Sequence, residues 1–139
     1  MSLRALLAAL AFSTAVPGVW AALAPRSFFD DFPGTGHWVA RLPEYNPHLV
    51  TDVGAFFLAF ALLFAWAALR PAPALVVPLC AAWALFSVLH LVWHARHLGA
   101  FGTADAVGQM VSLTAWLVAA LAGLQLARRR AGLTRANRS

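Results

Sequence analysis

Charge is scarce in this sequence, and nearly all the positive charge comes from one residue type. The chain of 139 residues contains no lysine, five acidic residues and a single cysteine, Cys80, and only 11% of its residues are charged. One cysteine excludes an intrachain disulfide. Soluble domains carry about a quarter charged residues, and a chain this short has little interior in which to hide apolar surface. The composition therefore argues against a soluble globular domain.

Apolar residues take the place of the missing charge. They make up 62% of the chain, and the mean hydropathy is +0.74. A helix that spans a bilayer needs about 20 predominantly apolar residues, and four segments meet this requirement: 5–23, 49–69, 74–93 and 104–126. We therefore predict an all-α fold, a four-helix transmembrane bundle that forms one domain over 1–127, followed by a basic tail over 128–139.

The first apolar segment has a second interpretation, as a secretory signal peptide. Arg4 would then be the charged n-region, and ALA at 22–24 the cleavage site. Pro25 would follow the cut, which signal peptidases disfavour, and the apolar run is long for a signal peptide. The transmembrane interpretation is therefore favoured.

The placement of arginine predicts the orientation of the bundle. With the N-terminus in the cytoplasm, the cytoplasmic side carries seven arginines and no acid, whereas the other side has a net charge of −2. The positive-inside rule therefore predicts a plasma-membrane protein with both termini in the cytoplasm. The net charge of +5 then reflects this rule and attraction to anionic lipid. Binding of nucleic acid is not expected, because it needs a basic face on a soluble module.

All five histidines and all five acids fall on the predicted outer side, and three of the histidines stand in the stretch HLVWHARHLG. At 100° per residue, His90 and His94 share one face of the third helix. Asp105 and Gln109 likewise share one face of the fourth. Because the short connection makes these two helices antiparallel, the polar faces can meet, with Gln109 beside His94 or His90 and Asp105 beside His97.

Two further polar residues, His48 and Asp52, stand in the first turns of the second helix at the same depth. We therefore predict an outward-opening pocket that binds a divalent metal or a small polar ligand, with six candidate residues: His48, Asp52, His90, His94, Asp105 and Gln109. Two imidazoles at i and i+4 can chelate one ion, and a carboxylate completes a three-ligand site with an open position. The predicted metal ligands are His90, His94 and Asp52, with Asp105 as the alternative carboxylate, for zinc, copper or iron.

The connection between the first two segments is rich in aromatic residues. Phe and Trp alternate with Asp, Pro and Gly in SFFDDFPGTGHWVARLPEYNPH. We expect this first extracytoplasmic loop to be structured and to form a cap over the pocket. Two alternatives stay open. One is an aromatic belt at the membrane interface, formed by Trp38, Trp93 and the cluster at 28–32, and the other is a docking surface for a partner.

Two other functions also stay open. Polar side chains join membrane helices by hydrogen bonds, so the chain could be a non-catalytic accessory subunit of a membrane complex, or a homo-oligomer. It could also be a membrane oxidoreductase that uses haem or quinone, with His48 and His90 as the candidate haem ligands. Five histidines are too few for a membrane di-iron hydroxylase, and the sequence has no nucleotide loop, nucleophile elbow or hydrolase triad. The pattern does not decide between binding and catalysis.

Three stretches resemble the motif blocks of a known group of proteins. They are SFFDDFPGTGHWV, YNPHLVTDVGA and HLVWHARHLG with the following Asp105, and they cover about 25–110. They resemble a family of small four-helix membrane proteins from high-GC Gram-positive bacteria, which is broadly similar to the DoxX-like group. The resemblance implies a four-helix membrane fold and no defined activity. DoxX-like proteins are associated with redox and quinone-linked membrane complexes.

The predicted orientation can be tested with single cysteines in a Cys80→Ala background. On intact cells, a membrane-impermeant maleimide should label Gly34→Cys and Arg41→Cys, because both positions lie in the predicted outer loop. The control variant Ser2→Cys should react only after the membrane is permeabilised. If intact cells showed labelling of Ser2→Cys but not of the loop positions, the orientation would be the reverse of the predicted one.

Overall fold

A computed structural model describes residues 1–34, 36–42 and 44–136, with side chains as far as residue 132. Within these residues the secondary structure is entirely helical. The helices are α1 (Leu3–Leu23), α2 (Pro25–Asp31), α3 (Pro47–Leu69), α4 (Pro73–Ala95) and α5 (Thr103–Ala136), with a short 3-10 turn at Leu98–Ala100. Positions 35 and 43 of the predicted loop and 137–139 of the predicted tail lie outside the described residues.

Four of these helices are long and apolar enough to cross a membrane: Leu3–Leu23, Pro47–Leu69, Pro73–Ala95 and Thr103–Gly132. This confirms the predicted all-helical fold with four candidate membrane spans. The observed bounds agree with the predicted ones to within about two residues at every end except the last. There the helix continues past 126 into the predicted tail, because arginine and alanine are strong helix formers.

The starts of the helices follow local signals in the sequence. The Ser2 side chain accepts a hydrogen bond from the backbone N–H of Ala5 at 3.2 Å, and the Asn46 side chain accepts one from Leu49 at 3.1 Å. Each bond satisfies one of the free N–H groups of a first helical turn. Proline occupies the first position of α2, α3 and α4, where its missing N–H costs nothing.

Neighbouring helices run in opposite directions. Gly18 of α1 lies against Leu58 of α3, and Ala22 of α1 lies against Gly54 of α3. Residue numbers rise along α1 where they fall along α3, so the two helices are antiparallel. The same holds for α4 and α5, where the sulfur of Cys80 lies against Gly123 and His94 contacts Gln109 farther along. One end of the bundle is therefore formed where α1 and α4 end and α3 and α5 begin. We call it the histidine end, because it carries His48, His90 and His94.

An aromatic cluster lies in the middle of the bundle around Trp83, which is completely buried. Its ring centroid lies 4.9–5.7 Å from those of five other rings, Phe57, Phe60, Phe64, Phe86 and Trp116. These rings come from α3, α4 and α5. The cluster joins the three helices at mid-length and closes the bundle below the histidine end.

The closest helix crossing predicts how the fold responds to a single added methyl group. A Cβ on Gly54 would lie 2.8 Å from the carbonyl carbon of Ala21, whereas one on Gly132 would meet nothing within 4 Å. Gly54→Ala should lower the free energy of unfolding by about 1–3 kcal/mol, as overpacking does. The control Gly132→Ala should leave it unchanged or raise it by up to about 1 kcal/mol, because alanine favours helix. Thermal unfolding in detergent micelles measures both, and equal effects would contradict the proposed crossing.

Candidate functional site: a capped cavity at the histidine end

A cavity of about 510 Å³ lies at the histidine end, between the four spanning helices and beneath α2 and the loop that follows it. This volume is in the usual range for small-molecule sites. Its walls are mainly apolar. The floor is formed by Phe57 and Trp116 of the central cluster, the cap by Phe28, Phe29, Phe32, Trp38 and Val39, and a polar wall by His90, His94 and Gln109.

The short helix α2 forms the first part of the cap because aromatic packing holds it on the end of α1. Phe28 and Phe29 are buried and pack with Ala21 of α1 and Val50 of α3. The ring of Trp20 meets Phe28 edge to face at 5.9 Å. These contacts bury apolar surface that the loop would otherwise expose, which explains why seven residues form a stable turn of helix here.

Hydrogen bonds between side chains add to this packing on the outer surface of α2. The indole N–H of Trp20 donates to Ser27 Oγ at 3.1 Å, and the Ser27 hydroxyl donates to Asp31 at 3.1 Å. Arg26 Nε pairs with Asp30 at 2.6 Å one helical turn away. The Trp20–Ser27 bond thus helps to hold α2 against α1, and the other two bonds lie within α2. None of these four α2 side chains lines the cavity.

One long-range hydrogen bond holds the second part of the cap. Trp38 Nε1 donates to Asp105 Oδ1 at 3.0 Å and so joins the loop to the first turn of α5. A carboxylate is favourable at this position because the helix N-terminus carries partial positive charge. The bond places the Trp38 ring as a wall of the cavity.

The polar wall consists of two imidazoles and one amide. His94 Nδ1 donates to Gln109 Oε1 at 2.8 Å. Gln109 is 1% exposed, and its Nε2 has no hydrogen-bond partner among the described residues. The ring centroids of His90 and His94 are 4.7 Å apart, and the His90 ring stacks on Phe86 at 5.2 Å. A buried donor without a partner costs about 1–3 kcal/mol, so the wall is suited to contribute a hydrogen bond to a bound molecule.

The structure brings together half of the six predicted site residues. His90, His94 and Gln109 line the cavity, and the expected contact between Gln109 and His94 is present. Asp105 stands behind the wall and bonds Trp38. It does not contact His97 in the way expected, because the imidazole of His97 bonds the carbonyl of Trp93 at 2.6 Å.

His48 and Asp52 lie apart from this wall. Their side chains are 86% and 60% exposed, they pair with each other at 3.4 Å, and neither lines the cavity. The expected approach of Asp52 to His90 and His94 is therefore not observed, because the carboxylate is held by the imidazole one turn earlier on its own helix. Within the described part of the chain, no group of three or more His, Cys, Asp or Glu side chains is placed to hold a metal ion.

The aromatic cap contributes lining residues that the predicted site did not include. Phe28 and Phe29 are 8% and 6% exposed, so they form a wall, whereas an interfacial belt would leave them at the surface. Trp93 is 45% exposed, as a belt residue would be, and also lines the cavity. The aromatic, proline-rich composition of the loop was the sequence feature that pointed to these residues. It indicated a cap, but it did not indicate which rings turn inward.

In comparisons with protein-family models, curated proteins and solved structures, nothing matches this chain. The resemblance of the three quoted stretches to a family of small four-helix membrane proteins therefore stays a prediction, as does the broader similarity of that family to the DoxX-like group.

The bond between Trp38 and Asp105 predicts how the cap can be loosened. In Asp105→Leu the indole N–H loses its acceptor, which costs about 1–3 kcal/mol. Amide hydrogen exchange in 36–42 should then be about tenfold faster or more. Asp105→Asn keeps an acceptor oxygen and should stay close to the wild type. Exchange measured by mass spectrometry in detergent micelles compares the two variants, and identical rates would show that the bond does not hold the cap.

Proposed function

We propose that this protein binds a small amphiphilic molecule in the cavity at the histidine end. The apolar body of the ligand packs against the aromatic walls, and its polar group bonds the wall formed by His90, His94 and Gln109. The observation that carries the proposal is the buried, unpartnered amide nitrogen of Gln109 beside two imidazoles, on the wall of a largely apolar cavity. Apolar pockets with a few convergent polar groups are the usual form of small-molecule sites.

The size of the cavity limits the ligand. At roughly 30 Å³ for each water-sized group, 510 Å³ holds about 17 non-hydrogen atoms. A free metal ion or a small polar metabolite would leave most of the aromatic wall without contacts. A molecule with an apolar chain or ring of about a dozen carbons would fill it.

The route into the cavity also favours an amphiphile. Leu49, Val53 and Trp93 all line the cavity, and they are 37–56% exposed. The first two belong to α3 and the third to α4, so we propose that the cavity opens towards the lipid between these helices. We further propose that this end of the bundle faces outward in the plasma membrane, with both termini in the cytoplasm, which rests on the arginine distribution.

A divalent metal held by His90 and His94 is the second candidate. It is supported by the adjacent imidazoles, whose ring centroids are 4.7 Å apart on successive turns of α4. The other ligands of the ion would come from the bound molecule or water, because Asp52 lies outside the cavity lining. The predicted haem pair has less support, since His48 is also outside the lining.

Photolabelling tests the proposed site. The probe is a twelve-carbon primary alcohol with a diazirine in its chain, added to the protein in phosphatidylcholine nanodiscs, and the labelled residues are mapped by mass spectrometry. Labelling should concentrate on cavity residues of α3, α4 and α5. Val53→Trp should reduce it at least about tenfold, because the larger ring narrows the cavity mouth.

The matched control is Val118→Trp, an equal change at an exposed position of α5 that does not line the cavity. It should label like the wild type. The opposite result would be labels that spread over lipid-facing side chains and stay unchanged in Val53→Trp. It would show that the cavity does not bind the probe.

The metal candidate is tested by elemental analysis of protein purified without added metal or chelator. About one equivalent of zinc, copper or iron in the wild type, lost in His90→Ala/His94→Ala, is the result expected of a metal site. The control is His37→Ala, which changes an exposed histidine outside the cavity lining. Substoichiometric metal that is the same in all three proteins would remove this candidate.

A further inference from the structure

We infer that the cavity selects an uncharged polar group that both donates and accepts a hydrogen bond, such as a primary hydroxyl or a carboxamide. This inference rests on the proposed function and specifies the chemistry of the ligand. It is drawn from the His94–Gln109 pair, from the charges that line the cavity and from the apolar remainder of the wall.

The His94–Gln109 pair presents one donor and one acceptor. With Gln109 Oε1 accepting from His94 Nδ1 at 2.8 Å, the amide nitrogen remains a free donor. In the neutral imidazole, Nε2 then remains a free acceptor. If the amide were rotated by half a turn, its oxygen would be the free acceptor and His94 Nε2–H the free donor. The pair therefore offers both kinds of partner in either arrangement.

This wall carries unused hydrogen-bonding capacity. Trp83 Nε1 is also buried without a partner among the described residues, but Trp83 does not line the cavity. Gln109 Nε2 is buried and has no partner, and no hydrogen bond is formed by either nitrogen of His90 or by Nε2 of His94 among the described residues. Two aromatic donors of the cavity lining are already paired, Trp38 with Asp105 and Trp116 with Ser13. A hydroxyl on the ligand can accept from the amide and donate to the imidazole at the same time.

The charges that line the cavity favour an uncharged group. Among the lining residues that the structure describes, Glu44 is the one acid or base other than the two histidines, and no arginine is present. A carboxylate or phosphate would lose its hydration without meeting an arginine, and Glu44 would repel it. A quaternary ammonium would be attracted by Glu44 and by the aromatic rings, but it has no N–H or O–H with which to use the free acceptor.

The test is competition against the photolabelling alcohol in nanodiscs. The competitors share a twelve-carbon chain and differ in the polar group: primary alcohol, primary amide, methyl ether, carboxylate and trimethylammonium. In the wild type, the alcohol and the amide should compete at concentrations at least about tenfold lower than the ether, which lacks the donor. The two charged compounds should compete more weakly still.

Two variants assign the selectivity to the pair. Because the ligand's donor can meet either His94 Nε2 or the Gln109 oxygen, the double variant His94→Phe/Gln109→Leu removes both acceptors and should bring the alcohol and the ether to within about twofold of each other. Gln125→Leu makes the same amide-to-leucine change at an exposed position of α5 and should keep the wild-type order. If the double variant does not fold, the order of competitors in the wild type still decides the question.

The possible results separate this inference from the proposed function. Cavity labelling that all five competitors displace equally, or the trimethylammonium compound best, would overturn the inference and leave the proposed function in place. If the alcohol and the amide still bound best in His94→Phe/Gln109→Leu, as in the wild type, the inference would also be overturned, since the pair would not be the cause. Absence of cavity labelling in the wild type would overturn both.

Discussion

The aromatic cluster around Trp83 is the contact on which the cavity depends. Between helices that both face lipid, the hydrophobic effect supplies little attraction, so association relies on close packing and on hydrogen bonds. The rings of the cluster supply that packing between α3, α4 and α5. Phe57 and Trp116 belong to the cluster and also form the cavity floor, so a change in the cluster would alter the site above it.

Hydrogen bonds inside the bundle satisfy several polar side chains at mid-length. Trp116 Nε1 donates to Ser13 Oγ at 3.2 Å and joins α5 to α1. Thr14 bonds the carbonyl of Leu10 on its own helix at 2.8 Å. Polar groups buried in lipid must be satisfied in this way because no water is present. Two buried nitrogens are exceptions among the described residues, Trp83 Nε1 and Gln109 Nε2, and of the two residues Gln109 lines the cavity.

The sequence was sufficient to predict contacts between two helices that are consecutive in the chain. The Gln109–His94 bond could be anticipated because helical periodicity and a short connection together define the register of α4 and α5. Asp52 was expected in the same pocket only because it lies at the same depth in the membrane as the histidines. Its side chain instead pairs with His48, and depth along a helix does not determine the direction in which a side chain points around it.

The sequence by itself determined the four spans, their order and the collection of histidines and acids at one end. These features follow from length, hydropathy and the placement of charge, all of which are local properties. Only the tertiary structure decided that α2 folds inward, that Trp38 reaches Asp105, and that two imidazoles and one amide form a polar wall in a mainly apolar cavity. Those contacts join residues far apart in the chain, and they depend on how the helices pack and rotate, which no local pattern specifies.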